Sequence, residues 1–355
     1  MPSADARRIL ISGATGFVGA SLVRRMVERG HEVHVIVRPS KGRLPHPQLG
    51  DPGVSDSAPA GLPDDARPKA PSPAAGMWRI VEVMNAVQLH RVDLLDAEAT
   101  RQVVAAARPQ VVLHFAAHAA LPQETDEMEI MLHTVQPLIN LASACAGCEL
   151  FINAGSSSEY GYQTEPMTET SLPNPTRVHD IAKLAQTLYG TYAARFKGVP
   201  LVTLRLFSVY GPWEHGRRLI PRLMLSALMG RPMSLSSPDV SRDFIFVDDV
   251  VSAVEHCMQR PGAPDGAIFN LGTGVEHTIR EAADLVQQIH GGPLPLTWGT
   301  VARQRWDSPR WVADTTRQTR DLGFTAATSF GEGLRATYRW FAENAHRYEE
   351  YEQRG

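Results

Sequence analysis

His179 and Lys183 stand four residues apart in the run VHDIAKLAQ (178–186), a spacing that sets two side chains on one face of a helix. An imidazole both donates and accepts protons, with a reference pKa of about 6.5. A neighbouring ammonium favours its neutral form. Neutral imidazole is a weak base toward an alcohol, whereas imidazolium is a good acid toward a ketone. Where no second positive charge faces the ring, protonation is less penalised and the site tilts toward carbonyl reduction; the alternative is that His179 only packs or hydrogen-bonds. Lysine occurs only at 41, 69, 183 and 197, which makes one at this spacing notable. Ahead of the pair, AGSSSEYG (154–161) gathers the hydroxyls of Ser156, Ser157 and Ser158. They are either hydrogen-bonding groups of a site or a polar exit from a strand.

A second constellation suits phosphate. In ILISGATGFVG (9–19), Gly13, Gly16 and Gly19 follow a short apolar run, with Thr15, Phe17 and Val18 between them. They open a segment where Val18, Leu22 and Met26 repeat every four residues, which is helical. Glycines at this spacing let the backbone turn tightly and approach a pyrophosphate at the helix N-terminus. The strand and helix around them favour that reading over a purely structural turn. The next strand, HEVHVIV (31–37), ends at Arg38. An acidic residue there would hold the ribose hydroxyls of NAD, whereas Arg pairs with a 2′-phosphate. NADP(H) is thus expected ahead of NAD(H), unless Arg38 merely begins the polar stretch that follows.

Together with LRLFSVYGP (204–212), RDFIFVDDV (242–250), FNLGTG (269–274) and residues 303–324, these runs resemble the extended short-chain dehydrogenase/reductase family of nucleotide-sugar epimerases, dehydratases and ketoreductases. The resemblance covers nearly the whole chain except 39–76. It implies a catalytic Tyr four residues before the Lys that holds the nicotinamide ribose; here His179 stands before Lys183. It gives Ser156 the place of the catalytic Ser or Thr that hydrogen-bonds the sugar hydroxyl or ketone. Ser157 and Ser158 stand where the 4,6-dehydratases carry an Asp-Glu pair, which argues against elimination of water. Glu159 is expected on the other face of the strand. Tyr160 and Tyr162 are nearby phenols that would have to reach in from a loop. Asp93 and Leu94 resemble the adenine contact, and Phe115, Ala116 and Ala117 the strand end along the cofactor. Ser208 replaces an Asn that touches the substrate diphosphate. Ser157 and Arg242 are further substrate candidates, with Arg242 a phosphate ligand. Arg305 and Arg310 either reach phosphate or lie on the surface. Asp248 and Asp249 read as a helix N-cap rather than a metal pair, and no metal site is expected.

The implied activity is an NADPH-dependent nucleotide-sugar ketoreductase acting on a 4-keto-6-deoxy sugar. An epimerase with tightly bound NAD(P), or a non-catalytic nucleotide-sugar or NAD(P) binder, is the alternative. The family often dimerises through two helices, and those at 98–107 and 181–196 are candidates for a homodimer.

These groups need a scaffold that turns strands into loops at one edge. Strands are expected at 9–12, 31–37, 87–96, 111–115, 149–153, 202–206, 244–247 and 267–271. Helices are expected at 97–107, 128–146, 219–229, 249–258, 279–290 and 331–345. Ile181, Leu184, Ala185, Leu188, Tyr192 and Phe196 trace one face of another. The alternation predicts an α/β fold, a Rossmann-type doubly wound parallel sheet with a smaller C-terminal α/β substrate domain. Residues 1–205 with roughly 241–272 would bind the dinucleotide; 206–240 and 273–345 would bind the nucleotide sugar. Residues 39–76 carry nine prolines and few large apolar groups, the composition of a disordered insertion. A lid is the other reading.

Over 355 residues the apolar fraction is 43% and the charged fraction 21%, ordinary for a globule. A net charge of −3 gives no bulk reason to expect nucleic acid or an anionic membrane. No apolar run of spanning length occurs and no apolar leader opens the chain, so a cytoplasmic protein is expected. Cys145 and Cys148 form a lone C-x-x-C without a second ligand pair, read as reduced thiols at a helix end.

Overall fold

The structure, a computed structural model, describes residues 6–39, 77–117, 126–259, 266–299 and 310–354. The proline-rich stretch from residue 40 to 76 and Arg305 lie outside the described residues.

The first half alternates as its apolar runs predict: β1 (Arg8–Ser12), α1 (Phe17–Glu28), β2 (Glu32–Val37), β3 (Val87–Arg91), α2 (Ala97–Ala107), β4 (Val111–His114), α3 (Glu127–Ala144) and β5 (Leu150–Ser156). Then come α4 (Val178–Lys197), β6 (Leu201–Leu206), β7 (Ser208–Tyr210), α5 (Leu219–Met229), β8 (Met233–Ser234), β9 (Ser241–Phe246) and α6 (Val247–Gln259). The chain closes with β10 (Ile268–Leu271), β11 (Glu276–Thr278), α7 (Ile279–His290), β12 (Leu296–Thr297) and α8 (Phe330–Arg354). Seven strands form one sheet in the order β10-β6-β5-β4-β1-β2-β3, and every pairing in it is parallel. Both faces are covered, so its strands are nearly continuous apolar runs; Ile9, Leu10, Ile11, Val111, Val112 and Leu113 are all buried. The strand order reverses at β1 and β4, the place where open parallel sheets leave a crevice.

A second apolar core gathers Tyr210, Phe244, Phe246 and Phe330 with residues of α5, α7 and α8. It lies beside β7, β9 and β11, which form a three-stranded sheet of their own.

Three expectations are corrected. β3 stops at Arg91, because its partner β2 ends at Val37 and the two register together; Asp93 lies just past the strand. β5 runs on to Ser156, since its pairing with β6 continues to Leu206. Asp249 does not cap its own helix: its carboxylate accepts from the backbone N–H groups of Ala327 and Thr328. All three cysteines are free thiols, with Cys145 just after α3, and burial pushes Cys148 up to about 11. Among the described residues no helix is long and apolar enough to cross a membrane.

Candidate active site

At the end of β1 the chain turns through Gly13, whose φ of +74° favours glycine. A Cβ there would lie 2.4 Å from the carbonyl carbon of Phe115, so the loop can rest against the end of β4 only without a side chain. Gly19 plays the matching part inside α1: its Cβ would fall 2.0 Å from the oxygen of Gly13. The N-terminus of α1 thus meets the loop and opens on a cavity of about 660 Å³. Gly13, Thr15, Gly16, Arg38, Asp93, Leu94, Phe115, Ala116 and Ala117 line it, joined by Asp126, Glu129, His133 and Pro137 from the α3 side. Phe17, Val18, Gly19 and Lys183 do not. Phe17 packs on the second core and Val18 on the sheet core.

A glycine cradle that a Cβ would fill, facing a helix N-terminus, fits the pyrophosphate of a dinucleotide. Arg38 lines the cavity with its Nη2 2.8 Å from Nδ1 of His133. Asp93 accepts from the N–H of Leu95, and Asn140 donates to the carbonyl of Leu94, fixing that wall.

Past β5 the serines form one turn of 3-10 helix, residues 157–160, not a continued strand. Ser156 caps it: its Oγ accepts from the N–H of Ser158 and lies 2.8 Å from the Ser158 Oγ. Glu159 therefore does not project from the other face of a strand. It is fully buried and accepts from Ser156 N, Thr187 Oγ1 and Arg205 Nε at 2.8, 3.0 and 2.8 Å. Burial raises its carboxyl above the usual range, against the pull of the Arg205 guanidinium. Ser157 accepts from the indole of Trp311 at 3.0 Å. Tyr160 is also fully buried, donates to Asn270 at 2.6 Å and is pushed up to about 12 by burial; it cannot reach a substrate. Tyr162 is 43% exposed.

His179 and Lys183 lie one turn apart near the start of α4. The His179 side chain is 19% exposed and its Nδ1 lies 3.5 Å from Asp180 Oδ1. Asp180 is buried and gripped by both arms of Arg177 at 2.9 Å. Against the upward push of burial, the nearby His179 ring and the hydrogen bonds from Arg177 keep its carboxyl below its ordinary value. Lys183 turns inward: its ammonium donates to the carbonyl of Ala154 and to Oε1 of Gln186. Burial lowers it to about 8.

A second cavity of about 330 Å³ brings together Ser208 on β7 and Arg242 on β9, neighbouring strands. Its other walls carry Glu214, Arg217, Arg218 and Arg222, which sequence reasoning missed. The signal was present as a basic run, HGRRLIPR (215–222), placed between two recognised motifs. Arg242 stacks over the ring of Trp311, so Ser157 and Arg242 share one tryptophan between them. Arg310 pairs with Glu276 at 3.3 Å. Four guanidinium groups around one cavity suit a diphosphate.

The sequence pattern of the NAD dependent epimerase/dehydratase family matches residues 9–272. The chain belongs to that family. It is 27% identical over 350 residues to a UDP-glucose 4-epimerase of Mycolicibacterium smegmatis, covering 94% of this chain and 98% of the relative. It is 22% identical over 347 residues to a trifunctional UDP-glucose 4,6-dehydratase/UDP-4-keto-6-deoxy-D-glucose 3,5-epimerase/UDP-4-keto-L-rhamnose-reductase of Arabidopsis thaliana, and spans 48% of that longer protein. Among solved structures, a UDP-glucuronic acid 4-epimerase from Bacillus cereus in complex with UDP-glucuronic acid and NAD superposes with a TM-score of 0.77. The two are 20% identical, over 94% of this chain and 99% of that one. Members of this family with these folds are enzymes of nucleotide-sugar chemistry, and the parallel sheet of this chain is the framework it shares with them.

Proposed function

We propose that this chain is a nucleotide-sugar ketoreductase that uses NADPH, on a 4-keto-6-deoxy sugar. The observation that carries the reading is at the serine turn. Both carboxylates there, Glu159 and Asp180, are buried and bound by arginines, while an imidazole and hydroxyls remain. Elimination of water needs a free carboxyl group; reduction of a ketone needs a hydride and a proton donor. Bound NADPH would supply the hydride from its nicotinamide. The chain supplies the rest: the glycine cradle seats the pyrophosphate, and Arg38 pairs with a 2′-phosphate. Arg217, Arg218, Arg222 and Arg242 hold the sugar nucleotide's diphosphate, with Ser208 beside them. Ser156 hydrogen-bonds the carbonyl oxygen and His179 delivers the proton. Residues 1–205 with roughly 241–272 serve the cofactor and contribute Ser156, His179 and Arg242 to the sugar nucleotide, and 206–240 with 273–345 supply the rest of its site. The protein works as a homodimer through α4 and the neighbouring α3, whose exposed apolar groups adjoin it.

Incubation with NADPH and a panel of nucleotide 4-keto-6-deoxy sugars tests this. Loss of NADPH absorbance with one of them is expected, and no turnover across the panel rejects it. A second reading, binding without hydride transfer, is favoured by the inward turn of Lys183 toward Ala154 and Gln186. It requires nucleotide-sugar binding by calorimetry with no hydride transfer in either direction. Interconversion of sugars without cofactor consumption would instead mark an epimerase.

A further inference from the structure

Lys183 does not stand alone in the interior. Its ammonium donates to Gln186 Oε1 and to the carbonyl of Ala154. The amide nitrogen of Gln186 donates to the carbonyl of Thr134 at 2.9 Å and reaches Nε2 of His114 at 3.2 Å. Nδ1 of His114 lies 2.7 Å from the hydroxyl of Ser12, the residue just before Gly13. Ser12, His114, Lys183 and Gln186 are all at least nine-tenths buried.

The partners fix every direction along this line. Because the ammonium only donates, Gln186 must present its oxygen to Lys183 and its nitrogen to Thr134 and His114. His114 must then accept at Nε2 and carry its proton at Nδ1, pointing to Ser12. Burial, with the Lys183 charge adding to it, holds His114 neutral, down to about 3, as that arrangement requires. A flipped Gln186 amide would face N–H groups toward the ammonium and its oxygen toward the Thr134 carbonyl, two repulsions at once.

We propose that Gln186, locked by His114 and Thr134, is the positioning residue of Lys183: it supplies the acceptor that keeps the buried ammonium charged and aimed, and ties it to the strand end that carries the glycine loop. The proposal rests on the reading of Lys183 as the cofactor-site lysine, but its test needs neither cofactor nor substrate. The other ionisable groups around Lys183 are Glu159 from the serine turn, with Arg205 of β6 behind it, and His179 and Asp180 one turn back on α4. Of these, Glu159 acts on the ammonium through its charge and favours the protonated form, partly offsetting burial.

The chain has four lysines, at 41, 69, 183 and 197, so the 13Cε signals of lysine-labelled protein can each be followed against pH, with Lys183→Arg giving the assignment. Gln186→Met keeps the volume and removes the acceptor; the Lys183 midpoint should fall by about one to two pH units, the size of a lost charged hydrogen bond. Gln186→Glu replaces the amide by a carboxylate; the midpoint should rise, with His114 free to change tautomer and donate to it. Opposite movements support the proposal. A filler role would lower the melting temperature in both variants and leave the midpoint in place, and that result, or a shift of the same sign in both, overturns it. Should the protein prove to bind no nucleotide sugar, the function proposed above fails while this titration still reads Lys183.

Discussion

His179 occupies the helical position from which a proton donor would act, and it is the least buried ionisable group of the serine turn and α4 start apart from Arg177. His179→Ala should reduce turnover by about 10²–10⁴-fold, the contribution of a general acid, and leave NADPH affinity nearly unchanged because the glycine cradle is intact. Steady-state rates and cofactor titration measure the two separately. Full activity in that variant would move the proton to Ser156, since Tyr160 is sealed away. In the glycine-lined cavity, Arg38→Asp should weaken NADPH far more than NADH, by replacing attraction to the 2′-phosphate with repulsion. Equal loss for both cofactors would deny Arg38 a part in selection. Single residues within recognisable runs, such as Ser208, Arg242 and the glycines, were legible in the sequence. Arg217, Arg218 and Arg222 were not, because they meet Arg242 only where the walls of the folded cavity come together. Glu159 was misplaced for the same reason: its partner Arg205 is 46 residues away, and only the packed turn shows that the carboxylate faces inward.

Two helices with side-chain caps, α2 and α7, were read to the residue, as was α5, which has none, whereas α3, capped by Asp126, was read one residue late at its start. α2 begins after Asp96, which accepts from Ala99 N, and α7 after Thr278, which forms a capping box with Glu281. Each such cap contributes about 1 kcal/mol and depends on neighbours a few residues away. α4 was read correctly as a helix with one apolar face, and in the structure that face is the outer one. Its stripe of large apolar residues points outward, with Ile181, Leu188, Tyr192 and Phe196 at 44, 58, 47 and 76% exposure. The buried face is instead small or polar: Ala182, Lys183, Gln186, Thr187, Gly190 and Ala193. Gly190 allows β6 to come close, since a Cβ there would lie 2.9 Å from the Leu201 side chain. An apolar stripe on an exposed helix needs cover. α3 adds Met128 and Leu132 beside it, whereas the outer face of α2 carries Glu98, Arg101 and Gln102. The homodimer face expected on helices 98–107 and 181–196 is therefore better assigned to α3 and α4. Leu188→Arg with Phe196→Arg should convert a dimer to a monomer in sedimentation analysis at micromolar concentration. A wild type that sediments as a monomer would reject the dimer.

At the scale of the molecule, the cofactor loop and the arginine-lined cavity are joined by one side chain. Arg79 donates to the carbonyls of Trp213 and Thr15 at 2.7 and 3.3 Å. Trp213 has a φ of +72°, rare for a side chain of its size, and its ring takes the Arg24 guanidinium at 4.1 Å. That turn places Glu214 in the interior, where Oε2 has no hydrogen-bond partner and the carbonyl accepts from Tyr348 of α8. Burial raises the Glu214 carboxyl from 4.5 to about 8, with Arg218 only 3.8 Å away as a partial offset. The consequence for stability has a definite sign. Between about pH 4.5 and 8 the folded chain keeps this proton and the unfolded chain has lost it, so stability falls as pH rises, by about 1.4 kcal/mol per unit at most. Glu214→Gln keeps the neutral shape and removes the titration. Urea unfolding should therefore find the variant close to wild type near pH 4.5 and progressively more stable than it up to about pH 8. His114, lowered to about 3, and Lys183, lowered to about 8 from 10.5, titrate alike in both proteins and cancel in the difference. A stability difference that stays constant across this window would mean that Glu214 is ionised in the folded chain, and that Arg218 or Arg79 moves in to pair with it.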